Sequence, residues 1–170
     1  MTYQSPVAGR RAVFGIFGSV ALGALAWRLL GDGEAGAIAA TPAPLKLSDA
    51  EWRKRLTPDA YDVLRQAGTE APFTSPLNDQ HGKGVFTCAG CDLPLFASST
   101  KFDSGTGWPS FYDHLRDAVG QRTDRTLGMA RTEVHCARCA GHLGHVFDDG
   151  PQPTGLRYCM NGVAMHFIKA

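Results

Sequence analysis

Thr132-Glu133-Val134-His135-Cys136-Ala137-Arg138-Cys139-Ala140-Gly141 is the stretch on which the fold of this chain turns. A β-prone run leads into a Cys-x-x-Cys pair and breaks at a glycine. The same design stands upstream in Val85-Phe86-Thr87-Cys88-Ala89-Gly90-Cys91-Asp92. Strand, thiolate pair and Gly-containing turn make each half read as a zinc-ribbon knuckle. Two such pairs that converge give four thiolates at tetrahedral spacing, a structural zinc site with its coordination shell closed, one ion per chain. A redox Cys-x-x-Cys is expected between a strand and a helix of a βαβ unit, and neither pair has that setting. Residues 92–135 separate the pairs, more than a simple ribbon needs, so a subdomain is expected between the two halves. Disulfides and an iron-bearing, rubredoxin-like centre are the competing readings, and iron is the weaker because nothing else suggests electron transfer. A closed zinc site has no position for substrate. Chemistry therefore falls to the fifth cysteine, Cys159.

Working outward to the N-terminus, Arg10-Arg11 precedes an apolar run from Ala12 to Trp27. That run is short of the roughly 20 apolar residues of a comfortable membrane span. It has the layout of a signal peptide, with Ala37-Ile38-Ala39 as a small-residue cleavage match. The arginine pair also resembles a twin-arginine export signal, although Gly9 replaces the usual Ser or Thr and the later Lys is missing. Residues 1–39 are thus expected to be a signal peptide or a membrane anchor. Residues 40–46, with Thr41-Pro42-Ala43-Pro44, read as a linker, and residues 47–170 as one domain. The expected location is periplasmic, either free or anchored facing the periplasm.

The chain carries 17 Lys plus Arg against 16 Asp plus Glu, with six His, so it offers no basic stripe for nucleic acid. Ser48-Asp49-Ala50-Glu51 is a capping box opening a short helix with Trp52 and Leu56. Thr57-Pro58 starts a second, running past Tyr61 and Leu64 to a stop at Gly68. Beyond it, Val85–Cys88, Leu127–Cys136, His145–Phe147, Arg157–Met160 and Val163–Ile168 read as short strands between turn clusters. The expected fold is mainly β and antiparallel, with two small N-terminal helices.

Cys159 lies late in one of these strands, two residues before Asn161, within Gly155-Leu156-Arg157-Tyr158-Cys159-Met160-Asn161-Gly162. His142-Leu143-Gly144-His145 follows the second knuckle directly. A further block, Ser104-Gly105-Thr106-Gly107-Trp108-Pro109-Ser110-Phe111, fixes an aromatic ring on a glycine-bracketed loop. Each residue also has a plain structural reading. A free cysteine is commonly core, Asn161-Gly162 is a turn signal, the histidines are metal ligands or surface groups, Trp108 is a turn aromatic, and Arg157 a solvated strand residue.

Together these blocks, with Asp149-Gly150-Pro151-Gln152-Pro153-Thr154, resemble the B-class methionine sulfoxide reductases from Leu47 to the C-terminus. The resemblance implies two antiparallel β-sheets with peripheral helices and zinc on the paired cysteines. It implies reduction of the R epimer of methionine sulfoxide, free or in oxidised proteins, with Cys159 attacking the sulfoxide sulfur. His142 and His145 would lie beside the substrate oxygen, Asn161 would complete the polar side, and Trp108 would face the substrate methyl. A histidine suits the proton delivery that sulfoxide oxygen needs before it can leave. Arg157 is expected to bind at the substrate site, and either it or a charged histidine to lower the pKa of the Cys159 thiol.

One departure from that family is Thr106, where many members carry a resolving cysteine. With four thiols on zinc, no internal partner is left for an oxidised Cys159. A sulfenic acid there is expected to be reduced by an external thiol, thioredoxin-like or other. Export in a folded state would let zinc load before transfer, which matters because an oxidising compartment threatens free thiols. The molecule is expected to be a monomer. A non-catalytic zinc module on the same β scaffold is the alternative reading; it would need the paired cysteines but not Cys159, His142, His145 and Trp108 together.

Overall fold

A computed structural model describes residues 43–170, so the expected export segment and the start of the linker lie outside the described residues. Leu45, inside the expected linker, donates its N–H to the Arg138 carbonyl at 2.7 Å. Leu45 and Leu47 both pack on the core, so ordered contacts reach back before residue 47.

The helices form where their caps predict. Helix α1 spans Asp49–Arg55, with the Ser48 N–H donating to Glu51 at 2.8 Å and the Glu51 N–H to the Ser48 hydroxyl at 3.3 Å. Helix α2 spans Pro58–Gln66, with Thr57 as N-cap accepting from the Ala60 N–H at 3.3 Å. The stop differs by one residue from the expectation: Ala67, at φ 56°, takes the left-handed conformation, not Gly68. Trp52 from α1 and Tyr61, Val63 and Leu64 from α2 are buried.

The strands are β1 (Gly84–Cys88), β2 (Pro94–Ala97), β3 (Lys101–Phe102), β4 (Ser110–Phe111), β5 (Val119–Asp124), β6 (Arg131–Cys136), β7 (His142–Phe147), β8 (Arg157–Met160) and β9 (Met165–Lys169). They form two antiparallel sheets, one ordered β2-β1-β9 and the other β3-β4-β8-β7-β6-β5. The mainly β expectation holds. Strands β2, β3, β4 and β5 were not among the expected runs, because they are short or carry exposed polar side chains. Two expected strands begin late: Thr126–Gly128 and Gly162–Ala164 are 3-10 turns.

Aromatic rings join the sheets. Phe96 of β2 stacks on Phe111 of β4 at 4.4 Å, and Phe86 of β1 meets Phe111 edge-on at 4.9 Å. All three are fully buried. Aromatic pairs contribute roughly 0.5–1.5 kcal/mol beyond their area burial. The cluster therefore fixes how the polar face of the larger sheet is presented.

Candidate active site and metal centre

The register of the larger sheet lines up a row of polar side chains that includes the expected His145 and Cys159. Arg122 of β5 stands opposite Glu133 of β6, Glu133 opposite His145 of β7, His145 opposite Cys159 of β8, and Cys159 opposite Ser110 of β4. Directly opposed residues share a face, with Cβ atoms about 5 Å apart. One row across five strands thus carries a cation, a carboxylate, an imidazole, a thiol and a hydroxyl. The neighbours Tyr158 and Met160 turn to the other face and are buried in the core.

His142 reaches this face by an irregularity. Three residues from His145, it would point the opposite way in a regular strand. The β6–β7 register shifts between Val134 and His135, so that His135 pairs with His142 and the extra residue is absorbed by β7. The two imidazoles then lie 5.4 Å apart, edge to face. Gly144, further along β7, lies close against β8: a Cβ there would sit 2.1 Å from the Cys159 carbonyl oxygen.

Each histidine is held by its own carboxylate. His142 Nδ1 is 2.9 Å from Glu133 Oε1, and Glu133 is in turn paired with Arg122. His145 Nε2 is 2.9 Å from Asp124 Oδ2, which also accepts from Arg131 at 2.7 Å. Burial pushes the His142 pKa down, and the contact with Glu133 only partly opposes it. Burial also raises Glu133, but Arg122 and His142 outweigh it and leave the carboxyl below its usual range. Asp124 is held well down by the Thr126 hydroxyl and N–H, then by His145 and Arg131.

A cavity of about 140 Å³ opens over Cys159, lined among others by Trp108, His145, Phe147 and Asn161. The Thr106 hydroxyl lies 3.8 Å from the Cys159 sulfur and is linked through Ser104 to Ser110 at 2.8 and 2.7 Å. Glu70, from the loop after α2, ties the cavity walls together. Its carbonyl accepts from Trp108 Nε1 at 3.1 Å, and its N–H donates to Asn161 Oδ1 at 3.0 Å. Its carboxylate takes the Gly162 and Val163 N–H groups at 2.6 and 2.9 Å.

Burial raises the Cys159 pKa by more than the Thr106 hydroxyl and the Arg157 charge lower it. Arg157 does not line the cavity: its guanidinium lies 4.4 Å over the Phe147 ring and grips Asp149 through two 2.8 Å bonds. His142 lines an adjoining cavity instead, of about 570 Å³, which His145 shares. Sequence reasoning missed Arg122, Glu133, Asp124, Arg131 and Glu70. Glu133 alone carried a usable signal, a charged residue inside an expected buried strand.

The paired cysteines converge as expected. Cys88 and Cys139 sulfurs are 3.7 Å apart, Cys91 and Cys136 sulfurs 3.5 Å, and all four lie within 4.8 Å of one another. A tetrahedron with Zn–S bonds near 2.3 Å has edges of about 3.8 Å, so the residues fit a tetrahedral thiolate-bound ion. The turn after each pair closes on a left-handed residue, Asp92 (φ 60°) and Ala140 (φ 55°), rather than on the glycines. Arg55, Arg65 and Arg138 cap the knuckle carbonyls of Gly90, Cys139 and Cys91 at 2.6, 3.0 and 3.2 Å.

Residues 56–169 match the SelR domain family model. The chain is 58% identical over 121 residues to the peptide methionine sulfoxide reductase MsrB of Agrobacterium fabrum, covering 71% of this chain and 90% of the relative. It is 57% identical over 121 residues to the protein of the same name from Methanosarcina barkeri (71% and 85%), and 53% identical over 123 residues to that of Leptospira interrogans (72% and 94%). With this match over most of its length, the chain belongs to the SelR-domain family of B-class methionine sulfoxide reductases.

Proposed function

We propose that this protein reduces methionine-R-sulfoxide to methionine with Cys159 as nucleophile. The observation that carries the reading is the cavity in which Cys159, His145 and Trp108 meet. The Trp108 ring offers an apolar wall for the substrate methyl. His145, across the strand from Cys159, stands where a proton is needed. The Cys159 thiolate attacks the sulfoxide sulfur, one proton is taken up at oxygen, and the oxygen then passes to the Cys159 sulfur as both the original sulfur–oxygen bond and the transient sulfur–sulfur bond break. The balance is thiolate plus sulfoxide plus proton to sulfenic acid plus thioether. A donor thiol then condenses with the sulfenic acid, releasing water and leaving a mixed disulfide, and a second thiol restores Cys159.

Cys88, Cys91, Cys136 and Cys139 would hold zinc, which supplies folding energy and no reaction step. The substrate is methionine sulfoxide in oxidised proteins or free, and the reductant an external thiol, thioredoxin-like or small. The position of Thr106 against Cys159 supports the external route, since no thiol occupies that place.

One experiment tests the whole reading. Racemic dabsyl-methionine sulfoxide with dithiothreitol should lose its R epimer only, and Cys159→Ser should abolish the loss. Without reductant, one equivalent of methionine per chain should form and the reaction stop, with a dimedone-type probe labelling Cys159. Turnover of the S epimer, activity in Cys159→Ser, or a Cys159 disulfide to a knuckle cysteine would each defeat it.

A further inference from the structure

Of the imidazole nitrogens in this pair, three are already engaged or sealed. His142 Nδ1 meets Glu133, and His142 Nε2 is buried with no partner and no access to solvent. His145 Nε2 meets Asp124. His145 Nδ1 remains, on a ring that lines the Cys159 cavity and stands directly across the sheet from the thiol. Asp124 is itself firmly placed. It accepts from the Thr126 N–H at 2.8 Å, the Thr126 hydroxyl at 2.7 Å and Arg131 at 2.7 Å, and its side chain is only 13% exposed.

We propose that Asp124 is a positioning residue for the reduction: by holding Nε2–H of His145 it fixes the ring so that Nδ1 serves the reacting oxygen. This rests on the reductase reading above. In the charged imidazolium both nitrogens carry protons, one bound to Asp124 and the other free to move to the sulfoxide oxygen. After transfer the neutral ring keeps its Nε2–H on Asp124, so no rotation separates the two states. The ring is not asked to choose a tautomer during turnover, because the carboxylate has chosen it. His142, sealed at Nε2 and tied to Glu133, supports the ring of His145 edge-on rather than delivering a proton itself.

The test compares Asp124→Asn with Asp124→Ala in the full-length protein. Asparagine keeps a neutral acceptor for Nε2–H and loses the charge; alanine loses both. kcat should fall about tenfold to a hundredfold in Asp124→Asn and further in Asp124→Ala, with KM changed less than about twofold. Long-range ¹⁵N–¹H spectra of histidine-labelled protein should report the Nε2–H tautomer of His145 in the parent and in Asp124→Asn, and a mixture in Asp124→Ala. A purely structural role would move melting temperature and KM but leave the tautomer alone. An unchanged tautomer in Asp124→Ala, or a kcat within twofold of the parent in Asp124→Asn, overturns the proposal; should Asp124→Ala fail to fold, the Asp124→Asn kinetics decide. If the parent itself reduces no methionine sulfoxide, the reductase reading has failed, and the spectra still judge the Asp124–His145 pairing.

Discussion

Cys159 sits under two opposed influences. Its burial favours the neutral thiol, while the Thr106 hydroxyl, the Arg157 charge and the Ser110 hydroxyl favour the thiolate. Burial outweighs them and favours the neutral thiol. The sign follows directly: raising pH should increase the thiolate fraction, with a midpoint above the ordinary thiol value of about 8.5. The rate of Cys159 alkylation by iodoacetamide, followed on its own peptide by mass spectrometry, should rise through that range. Arg157→Ala removes a favourable charge and should move the midpoint higher still. A parent midpoint at or below about 8.5 would mean that the hydroxyls and Arg157 outweigh burial. Arg157 thus acts on the thiol through charge, held off the cavity by Asp149 and Phe147.

At the scale of elements, the β6–β7 hairpin does most to build the site, and its irregularity is what turns His142 to the face of His145. Gly144→Ala would drive a methyl into the backbone of β8, whose carbonyl cannot swing aside as a side chain could. The expected outcome is a loss of stability of about 2 kcal/mol or more and a drop in kcat/KM of at least about tenfold, read by denaturant unfolding and steady-state kinetics. Wild-type values in both assays would mean that the strands separate without cost.

How much of this was legible in the sequence follows from the same elements. Capping boxes and Cys-x-x-Cys pairs are local signals, and α1, α2 and the sulfur cluster emerged where they indicated. Strand β5 was missed because Arg122 and its neighbours are exposed, so no apolar alternation marks it. Its contribution to the site, Arg122 and Asp124, went with it. The partnership of Glu133 with His142 depends on a register shift, and register is set by the whole sheet rather than by either segment. The pairing of Arg157 with Asp149 was not legible for a related reason: nothing in the strand of Arg157 announces a partner across a turn.

Across the whole molecule, the sulfur cluster joins what the sheets keep apart. Cys88 and Cys91 belong to the β1–β2 hairpin of the small sheet, and Cys136 and Cys139 to the β6–β7 hairpin of the large one. A metal there would clamp the end of the hairpin that carries Glu133, His142 and His145. Metal analysis should return about one zinc per chain. Cys88→Ser or Cys139→Ser should cost more than about 4 kcal/mol, beyond an ordinary core substitution, because metal affinity is folding energy here. Thermal unfolding followed by circular dichroism, with and without chelator, checks this; a curve indifferent to both would remove the metal from the account.

The cavity above Cys159 has one last implication, which concerns traffic rather than chemistry. With Thr106 beside the sulfur, an oxidised Cys159 on the proposed mechanism would have no neighbouring thiol to condense with, and an external donor would have to reach it through the cavity that the methionine side chain had left. On that mechanism substrate and donor reach Cys159 at this one cavity. Arrival of the oxidant and arrival of the reductant are then successive events at one doorway. Initial-rate plots at several donor concentrations should be parallel lines, and an excess of methionine sulfoxide should compete with the very thiol that resets the enzyme.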